Sequence, residues 1–351
     1  MPFDLSLLGQ PVELPQISRE LKKLWESSGG AKSRASLVNF AVYCQGVEAL
    51  ESNTQLISEF TVDHACRAML LASVPDAPQT AVRSWINAHC HLSRAGAKQV
   101  CCEQITILLE GTADRFLANI LFANLDSDLP LYLWWQGELT ECFSDQLATW
   151  VDRLIYDSRD WKDPIAQFAL LQQSLKRGGA RMILCDLNWT RTLHLRQALA
   201  QMFDHPENLS QVNQLTCVRI THAPGYRCTS LFFAAWISAQ LKWEFVKIEG
   251  SKAVYRGPAG NEVTCELVEA EGAPISRCEL CAGQPFVTIR RDTGSAFHQA
   301  QVRLADGREY VHLLPAGADN VASLLDDELT FGGRHRVYLK ALAAAQKLLG
   351  Q

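Results

Sequence analysis

The residues best suited to do chemistry are two aspartates that close apolar runs, Asp157 and Asp186. Asp157 is followed by Ser-Arg-Asp-Trp161, and Asp186 is followed by Leu-Asn-Trp-Thr-Arg191. In α/β proteins, ligands bind at the carboxyl ends of strands, so both positions are typical of working groups. Asp and Asn at such positions also cap turns with their own side chains. The sequence leaves both interpretations open.

Tryptophans accompany these predicted strand ends. Tryptophan is common at interfaces because it buries a large apolar area and keeps one polar N–H, but it is equally common in cores. If the strand ends form a surface for another macromolecule, the candidate binding residues are Trp134, Trp135, Asp157, Arg159, Trp161, Asp186, Asn188, Trp189 and Arg191.

The same groups also allow an enzymatic hypothesis. An α/β enzyme acting on a sugar phosphate would use Asp157 or Asp186 as the base and Arg191 or Arg153 to hold the phosphate. However, the sequence contains neither a dinucleotide-binding glycine fingerprint nor a Walker motif. It also lacks the Gly-x-Ser-x-Gly and His-Glu-x-x-His motifs. We therefore expect no catalytic residues and no cofactor.

Cys278 and Cys281 have the Cys-x-x-Cys spacing of redox and metal sites. A structural zinc needs four ligands, and no second pair lies nearby in the sequence, so we predict no metal site. A thioredoxin-type pair would open a helix, whereas Gly283-Gln-Pro285 follows here and leads into a strand. The two cysteines remain candidate redox thiols. Most of the twelve cysteines lie in apolar runs and are interpreted as small buried hydrophobic residues.

The composition indicates a globular protein, because 48% of the 351 residues are hydrophobic and 20% are charged. The net charge of −5 gives no reason to expect binding to nucleic acid or to an anionic membrane. The first residues lack the features of a secretory signal, and the apolar stretch Leu231–Leu241 is too short to span a bilayer. We expect a cytoplasmic protein.

Alternating strand and helix patterns fill the middle of the chain. Strands are predicted at Leu131–Trp135, 154–157 and 181–185. A helix is predicted to begin at Pro164, after the N-cap Asp163, and to end at Gly178-Gly179, with Ile165, Phe168, Leu171 and Leu175 on its buried face. Another helix is predicted after Ser144, with Leu147, Trp150, Val151 and Leu154 on one stripe. Such spacing favours parallel βαβ units.

The last third of the chain is rich in predicted strands. Residues 252–256 and 262–269 flank a Gly-Pro-Ala-Gly turn, residues 299–304 and 309–314 flank Asp306-Gly307, and a helix covers 336–349. The predicted fold is α/β, with a parallel βαβ core sheet, additional antiparallel hairpins and a β-rich C-terminal portion ending in a helix. We expect an N-terminal α/β domain over 1–160 and a C-terminal α/β domain over 161–351, although the sheet could be continuous.

Several segments in collinear order resemble the OpcA family, the glucose-6-phosphate dehydrogenase assembly proteins. The similarity spans residues 34–245, and the segments that carry it are 34–40, 88–90, 100–105, 128–137, 152–158, 186–191 and 234–243. The resemblance implies glucose-6-phosphate dehydrogenase as the partner, an enzyme that oxidises glucose 6-phosphate with NADP at the head of the oxidative pentose phosphate pathway. It implies a non-catalytic assembly factor or allosteric activator, which agrees with the absence of catalytic motifs.

Overall fold

The computed structural model of the chain describes residues 5–26, 32–92, 99–177, 181–304, 306–330 and 336–350. The chain divides into two compact units. The first unit contains Met1–Tyr156 and Ala166–Cys185, and the second contains Asp157–Ile165 and Asp186–Gln351. Each unit therefore combines segments from both sides of the predicted division at residue 160.

The first unit is built on a nine-stranded sheet among the described residues. Its strands are β1 Gln10–Val12, β2 Lys32–Arg34, β3 Val38–Gln45, β4 Cys66–Val74, β5 Ala81–Leu92, β6 Gln99–Glu110, β7 Leu131–Trp135, β8 Arg153–Tyr156 and β9 Ile183–Asp186. Its helices are α1 Ile17–Glu26, α2 Leu50–Phe60, α3 Leu117–Ala123, α4 Asp145–Trp150 and α5 Pro164–Arg177.

The centre of this first sheet is parallel, as predicted. The strand order is β1-β5-β6-β4-β3-β7-β8-β9, with β2 beside β6, and β4, β3, β7 and β8 pair in parallel. Almost every residue of β3 and β4 is buried, as expected for parallel strands that are covered on both faces. Two antiparallel strands, β5 and then β1, extend the sheet at the other side of β6.

Two predicted helical stripes differ from the structure. The helix that begins after Ser144 ends at Trp150, whose side chain is 59% exposed, because Val151 is already extended and β8 begins at Arg153. In α5, Phe168 is buried as predicted, but Ile165 is 50% exposed because it lies in the first turn.

The second unit contains a separate eight-stranded sheet. Its strands are β10 Cys217–His222, β11 Glu244–Glu249, β12 Lys252–Arg256, β13 Glu262–Glu269, β14 Ile275–Ala282, β15 Gln284–Arg290, β16 Phe297–Arg303 and β17 Glu309–Pro315. Its helices are α6 Leu187–Thr190, α7 Leu193–Gln201, α8 Pro206–Gln211, α9 Arg227–Gln240, α10 Val321–Thr330 and α11 Arg336–Leu349.

The core of the second unit lies on one face of this sheet. The strand order is β11-β12-β13-β10-β14-β15-β16-β17, and all pairs except β10–β13 are antiparallel. Helices α7 and α9 pack on the side chains of Val218, Ile220, Leu280 and Val287, and α11 packs on α9. Most residues of α9 from Thr229 to Ser238 are buried, as expected for a helix that is apolar on nearly all sides. Among the described residues, no helix is both long and apolar enough to span a membrane.

Candidate functional site

The two aspartates predicted at strand ends lie where the sequence placed them. Asp157 follows β8 and caps a short 3₁₀ helix, Ser158–Asp160, by accepting a hydrogen bond from the backbone N–H of Arg159 at 3.1 Å. Asp186 ends β9 and caps α6 by accepting one from the backbone N–H of Asn188 at 3.0 Å. The capping interpretation is therefore confirmed for both residues.

The carboxylate of Asp186 is buried, with only 1% of the residue exposed, and it accepts four hydrogen bonds. Oδ1 accepts the backbone N–H groups of Ser158 and Asn188, at 3.1 and 3.0 Å. Oδ2 accepts the hydroxyls of Ser158 and Tyr338, at 2.7 and 3.2 Å. Burial, together with the negative charge of Asp157, raises the pKa of Asp186 to about 7, although these hydrogen bonds oppose the rise.

The guanidinium of Arg191 joins Asp157 to the C-terminal part of the chain. It donates two hydrogen bonds to the Asp157 carboxylate, at 3.2 and 2.8 Å, and its Nε donates to Asp319. The hydroxyl of Tyr226 donates to the other oxygen of Asp319 at 2.6 Å. Only 3% of the Arg191 side chain is exposed, so its charge is neutralised inside the unit by two carboxylates.

Helices α9 and α10 supply further partners to the same groups. The Asn188 side-chain amide nitrogen donates to the Ser158 hydroxyl at 3.1 Å, and the Thr229 hydroxyl donates to the side-chain oxygen Oδ1 of Asn188. The Thr190 hydroxyl donates to Glu328 at 2.8 Å. We call the whole set the strand-end network, and its members are Asp157, Ser158, Asp186, Asn188, Thr190, Arg191, Tyr226, Thr229, Asp319, Glu328 and Tyr338.

The four tryptophans among the candidate binding residues are distributed over both units. In the second unit Trp189 is buried, with the Tyr338 ring 5.6 Å away and the Arg196 guanidinium 3.5 Å above its own ring. Trp161 of the same unit is also buried. In the first unit Trp134 and Trp135 are buried, and Trp135 stacks on Tyr43 at 3.8 Å and donates its indole N–H to the backbone carbonyl of Glu138 at 3.0 Å.

Most of the nine candidate binding residues are buried. Asp157 keeps 20% of its side chain exposed and Arg159 keeps 27%, whereas the other seven are buried or nearly so. Arg159 forms an ion pair with Asp160 at 2.7 Å, and its guanidinium lies 5.4 Å from the Tyr226 ring. A partner that touches this part of the unit would contact these two side chains first.

The candidate redox thiols have different surroundings. Cys278 is fully buried in the core of the second unit, and burial holds its pKa well above the usual range. Cys281 is half-buried, lies opposite Cys217 on the neighbouring strand and forms a hydrogen bond with that thiol. Burial raises the pKa of Cys281 to about 12.

The structure contains one disulfide among the described cysteines that the sequence did not indicate. Cys90 of β5 and Cys101 of β6 lie directly opposite each other and are joined. His89, next to Cys90, forms a hydrogen bond with the side chain of Gln104 at 2.7 Å, and burial lowers the pKa of His89. Within the described part of the chain, no group of three or more His, Cys, Asp or Glu side chains is arranged to hold a metal ion.

The groups that an enzyme acting on a sugar phosphate would need are enclosed. The cavity beside Arg191 measures about 20 Å³ and is also lined by Arg291 and His298, so it has room for about one water molecule. Arg153 of the first unit is buried, and its guanidinium lies 3.6 Å from the Cys185 sulfur and 5.3 Å from the Tyr132 ring. The arrangement therefore stabilises the fold through charge pairing and offers no open phosphate site at these residues.

These features define a two-unit α/β protein whose strand-end groups are paired with one another. Among solved structures it is similar to an oxidoreductase domain protein from Kribbella flavida, at 10% identity and a TM-score of 0.51, covering 90% of this chain and 96% of the other. It is also similar to a biliverdin reductase from Synechocystis sp. PCC 6803, at 13% identity and a TM-score of 0.45, covering 90% and 99%. Because the sequence identity is only 10%, the similarity to the Kribbella flavida protein shows a shared fold and no more.

The sequence comparisons are more specific. The family model described as the glucose-6-phosphate dehydrogenase subunit N-terminal domain matches residues 58–173, and the model described as the C-terminal domain matches residues 183–342. A protein of Synechocystis sp., named a putative OxPP cycle protein OpcA, is 27% identical over 311 residues. That alignment covers 81% of this chain and 63% of the relative, so the chain matches less than two thirds of the relative's length. The chain belongs to the OpcA family of glucose-6-phosphate dehydrogenase subunits.

Proposed function

We propose that this chain is a non-catalytic subunit that binds glucose-6-phosphate dehydrogenase and promotes its active oligomeric state. The observation that carries the proposal is the match of both domain models, each described as part of a glucose-6-phosphate dehydrogenase subunit, in order along the chain. The partner's reaction, the NADP-dependent oxidation of glucose 6-phosphate, belongs to the oxidative pentose phosphate pathway. We propose that the complex acts there, in the cytoplasm.

The chemistry of the strand-end network supports a non-catalytic role. A general base must reach the proton that it removes, within about 3 Å or through one water. Asp186 accepts four hydrogen bonds inside the unit, and Asp157 is held by both terminal nitrogens of Arg191. A substrate would have to displace these partners and leave buried polar groups unpaired, which costs about 1–3 kcal/mol for each.

An activator of this kind works through a difference in affinity. A subunit shifts the dehydrogenase toward one state only to the extent that it binds that state more tightly than the others. A tenfold preference for the assembled form corresponds to about 1.4 kcal/mol. We therefore expect saturable stimulation that follows the fraction of dehydrogenase bound.

A titration of the purified full chain into the dehydrogenase of the same organism tests the proposal. The enzyme's rate, its KM for glucose 6-phosphate and the mass of the complex are recorded at each ratio. We expect the mass and the rate to rise together and to level off at a fixed stoichiometry. The chain alone should not oxidise or otherwise convert glucose 6-phosphate.

Three variants separate the possible roles of the site. Asp186→Asn keeps the shape of the network, so a subunit should still stimulate, whereas an enzyme that uses this carboxylate as its base would lose turnover. Arg159→Ala removes the more exposed of the two accessible side chains and should weaken the complex if this part of the unit is contacted. Arg177→Ala is the matched control, an exposed arginine of α5 paired with Asp145. If the wild-type chain changes neither mass, rate nor KM, the proposal fails.

A further inference from the structure

The second unit has one sheet face that the described part of the chain leaves open. Residues alternate strictly along β16, where His298, Ala300 and Val302 are buried on the helix side while Phe297, Gln299 and Arg303 are exposed. In β17 the exposed fraction is 55% for Val311 and 69% for Leu313. We call this side of the sheet, opposite α7 and α9, the open face.

Two neighbouring rows of side chains cross the open face. The register places one row on Arg219, Glu279, Thr288, Gln301 and Val311, from β10 to β17. The same register places the adjacent row on Thr221, Arg277, Arg290, Gln299 and Leu313. On every strand, the two residues concerned are two positions apart, which is why they share a face.

We propose that the open face binds the open face of a second copy of this chain, about a twofold axis that lies between the two rows and runs across the strands. Each strand then lies against the same strand of the second copy and runs antiparallel to it. The first row of one copy therefore meets the second row of the other. Val311 faces Leu313 of the second copy, and the Arg277–Glu279 ion pair of one copy faces the same ion pair of the other copy in the opposite order.

The remaining pairs generated by this axis are also compatible. Gln301 faces Gln299 of the second copy, and Thr288 faces Arg290 of the second copy, which are pairs that can hydrogen-bond. No like charges meet along the rows. Because a twofold interface uses one patch twice, a patch must complement itself, and these rows do so in charge and in polarity.

The two rows define a small interface. Each row crosses five strands, so strands at about 4.8 Å spacing and six residues at about 3.3 Å each give roughly 19 by 20 Å, or about 400 Å². A standard specific interface buries about 800 Å² on each partner, so we expect a weak dimer that dissociates at micromolar concentrations. Sheets packed face to face keep their strands within about 30° of each other, so the facing rows stay in contact near the axis.

Ion pairs within the chain hold several charged side chains of the open face in place. Arg277 pairs with Glu279 at 2.5 Å, and Arg219 reaches both Glu266 at 3.3 Å and Glu279 at 3.9 Å. Glu279 is only 6% exposed because these guanidinium groups cover it. Little side-chain freedom remains to be lost at this part of the face on association.

The test is sedimentation of the full chain over a range of concentrations, from ~1 to ~200 µM, which spans the dissociation constants usual for an interface of this size. We expect the wild-type mass to rise to that of a dimer. Val311→Glu and Leu313→Lys should each raise the dissociation constant by about tenfold or more, since each places a charge against an apolar side chain twice per dimer. The Val311→Glu/Leu313→Lys double variant should recover most of the affinity, because the introduced carboxylate of one copy then faces the introduced ammonium group of the other.

Leu209→Glu is the matched control, since Leu209 is 58% exposed but lies on α8, away from the open face. It should leave the mass curve unchanged, and all variants should keep the wild-type unfolding curve. The proposal is overturned if the wild-type chain stays monomeric, if the single variants dimerise normally, or if the double variant does not recover. It is also overturned if Val311→Glu weakens binding of the dehydrogenase without changing self-association, because the open face would then belong to that enzyme.

Discussion

Replacing Asp186 should change how stability depends on pH, and the structure sets the size of the effect. The folded pKa is about 7, whereas the ordinary value is 3.8. Between about pH 4 and 7 the unfolded chain loses this proton while the folded chain keeps it, so stability falls by about 1.4 kcal/mol for each pH unit. Above pH 7 both states are ionised, and the loss levels off at about 4 kcal/mol.

Asp186→Asn should abolish this dependence. The amide oxygen can still accept the two backbone N–H groups, and the amide nitrogen can donate to the hydroxyls of Ser158 and Tyr338, which rotate to accept. Relative to the wild-type chain, the variant should therefore gain about 3 kcal/mol of stability between pH 5 and pH 8. Asp186→Ala leaves the buried donors unpaired and should instead lose several kcal/mol at both pH values, at about 1–3 kcal/mol per group.

The assay is urea unfolding of the full chain, followed by tryptophan fluorescence at pH 5 and pH 8. Trp189 lies next to Tyr338 and reports on this region. Asp160→Asn is the control, because Asp160 is largely exposed and its pKa is lowered by the Arg159 side chain, so it stays ionised over this range. The reasoning is refuted if the difference in unfolding free energy between Asp186→Asn and the wild type is the same at pH 5 and at pH 8.

Three further predictions follow from the same unit. Arg191→Lys keeps the charge but loses the bidentate contact with Asp157, so the free energy of unfolding, measured by urea titration, should fall by about 1–3 kcal/mol. A variant as stable as the wild type would contradict this role of the contact. A thiol reagent should label Cys281 faster than Cys278 in the folded chain, because Cys281 is partly exposed and Cys278 is fully buried, although the raised pKa of Cys281 keeps its labelling slow. Mass spectrometry of the digested protein reads the two rates, and equal labelling would contradict the burial of Cys278. Burial and the charge of Arg291 lower the pKa of His298 to about 4, so its protonation on unfolding should reduce stability as the pH falls from 6.5 toward 4. His298→Gln should remove that loss in the same urea assay, and an unchanged pH profile would contradict it.

The elements with clear local patterns were predictable from the sequence. Strand β7 and the pair β12–β13 have the predicted bounds, as do helices α5 and α11. A turn, a cap or a regular apolar period marks each of them, so neighbouring residues alone define the element. Strand β14 was not predicted, although polar and apolar residues alternate from Arg277 to Leu280, because its Cys-x-x-Cys spacing also fits a thiol pair and draws the interpretation away from a strand.

The partners of the strand-end network could not be predicted in the same way. The sequence identified Asp157, Asp186 and Arg191, but Asp319 and Tyr338 lie more than a hundred residues further along and carry no motif. The disulfide between Cys90 and Cys101 depends on the register of two antiparallel strands, which spacing alone does not fix. Long-range pairing of this kind is a property of the folded topology.

The chain crosses between its two units after Tyr156, after Ile165 and again after Cys185. A fragment that starts at residue 186 therefore omits Asp157 and Ser158, and with them one of the two carboxylates that pair with Arg191 and two of the donors to Asp186. Neither unit corresponds to one uninterrupted stretch of gene. We therefore expect that truncating the chain to either half yields an incomplete fold.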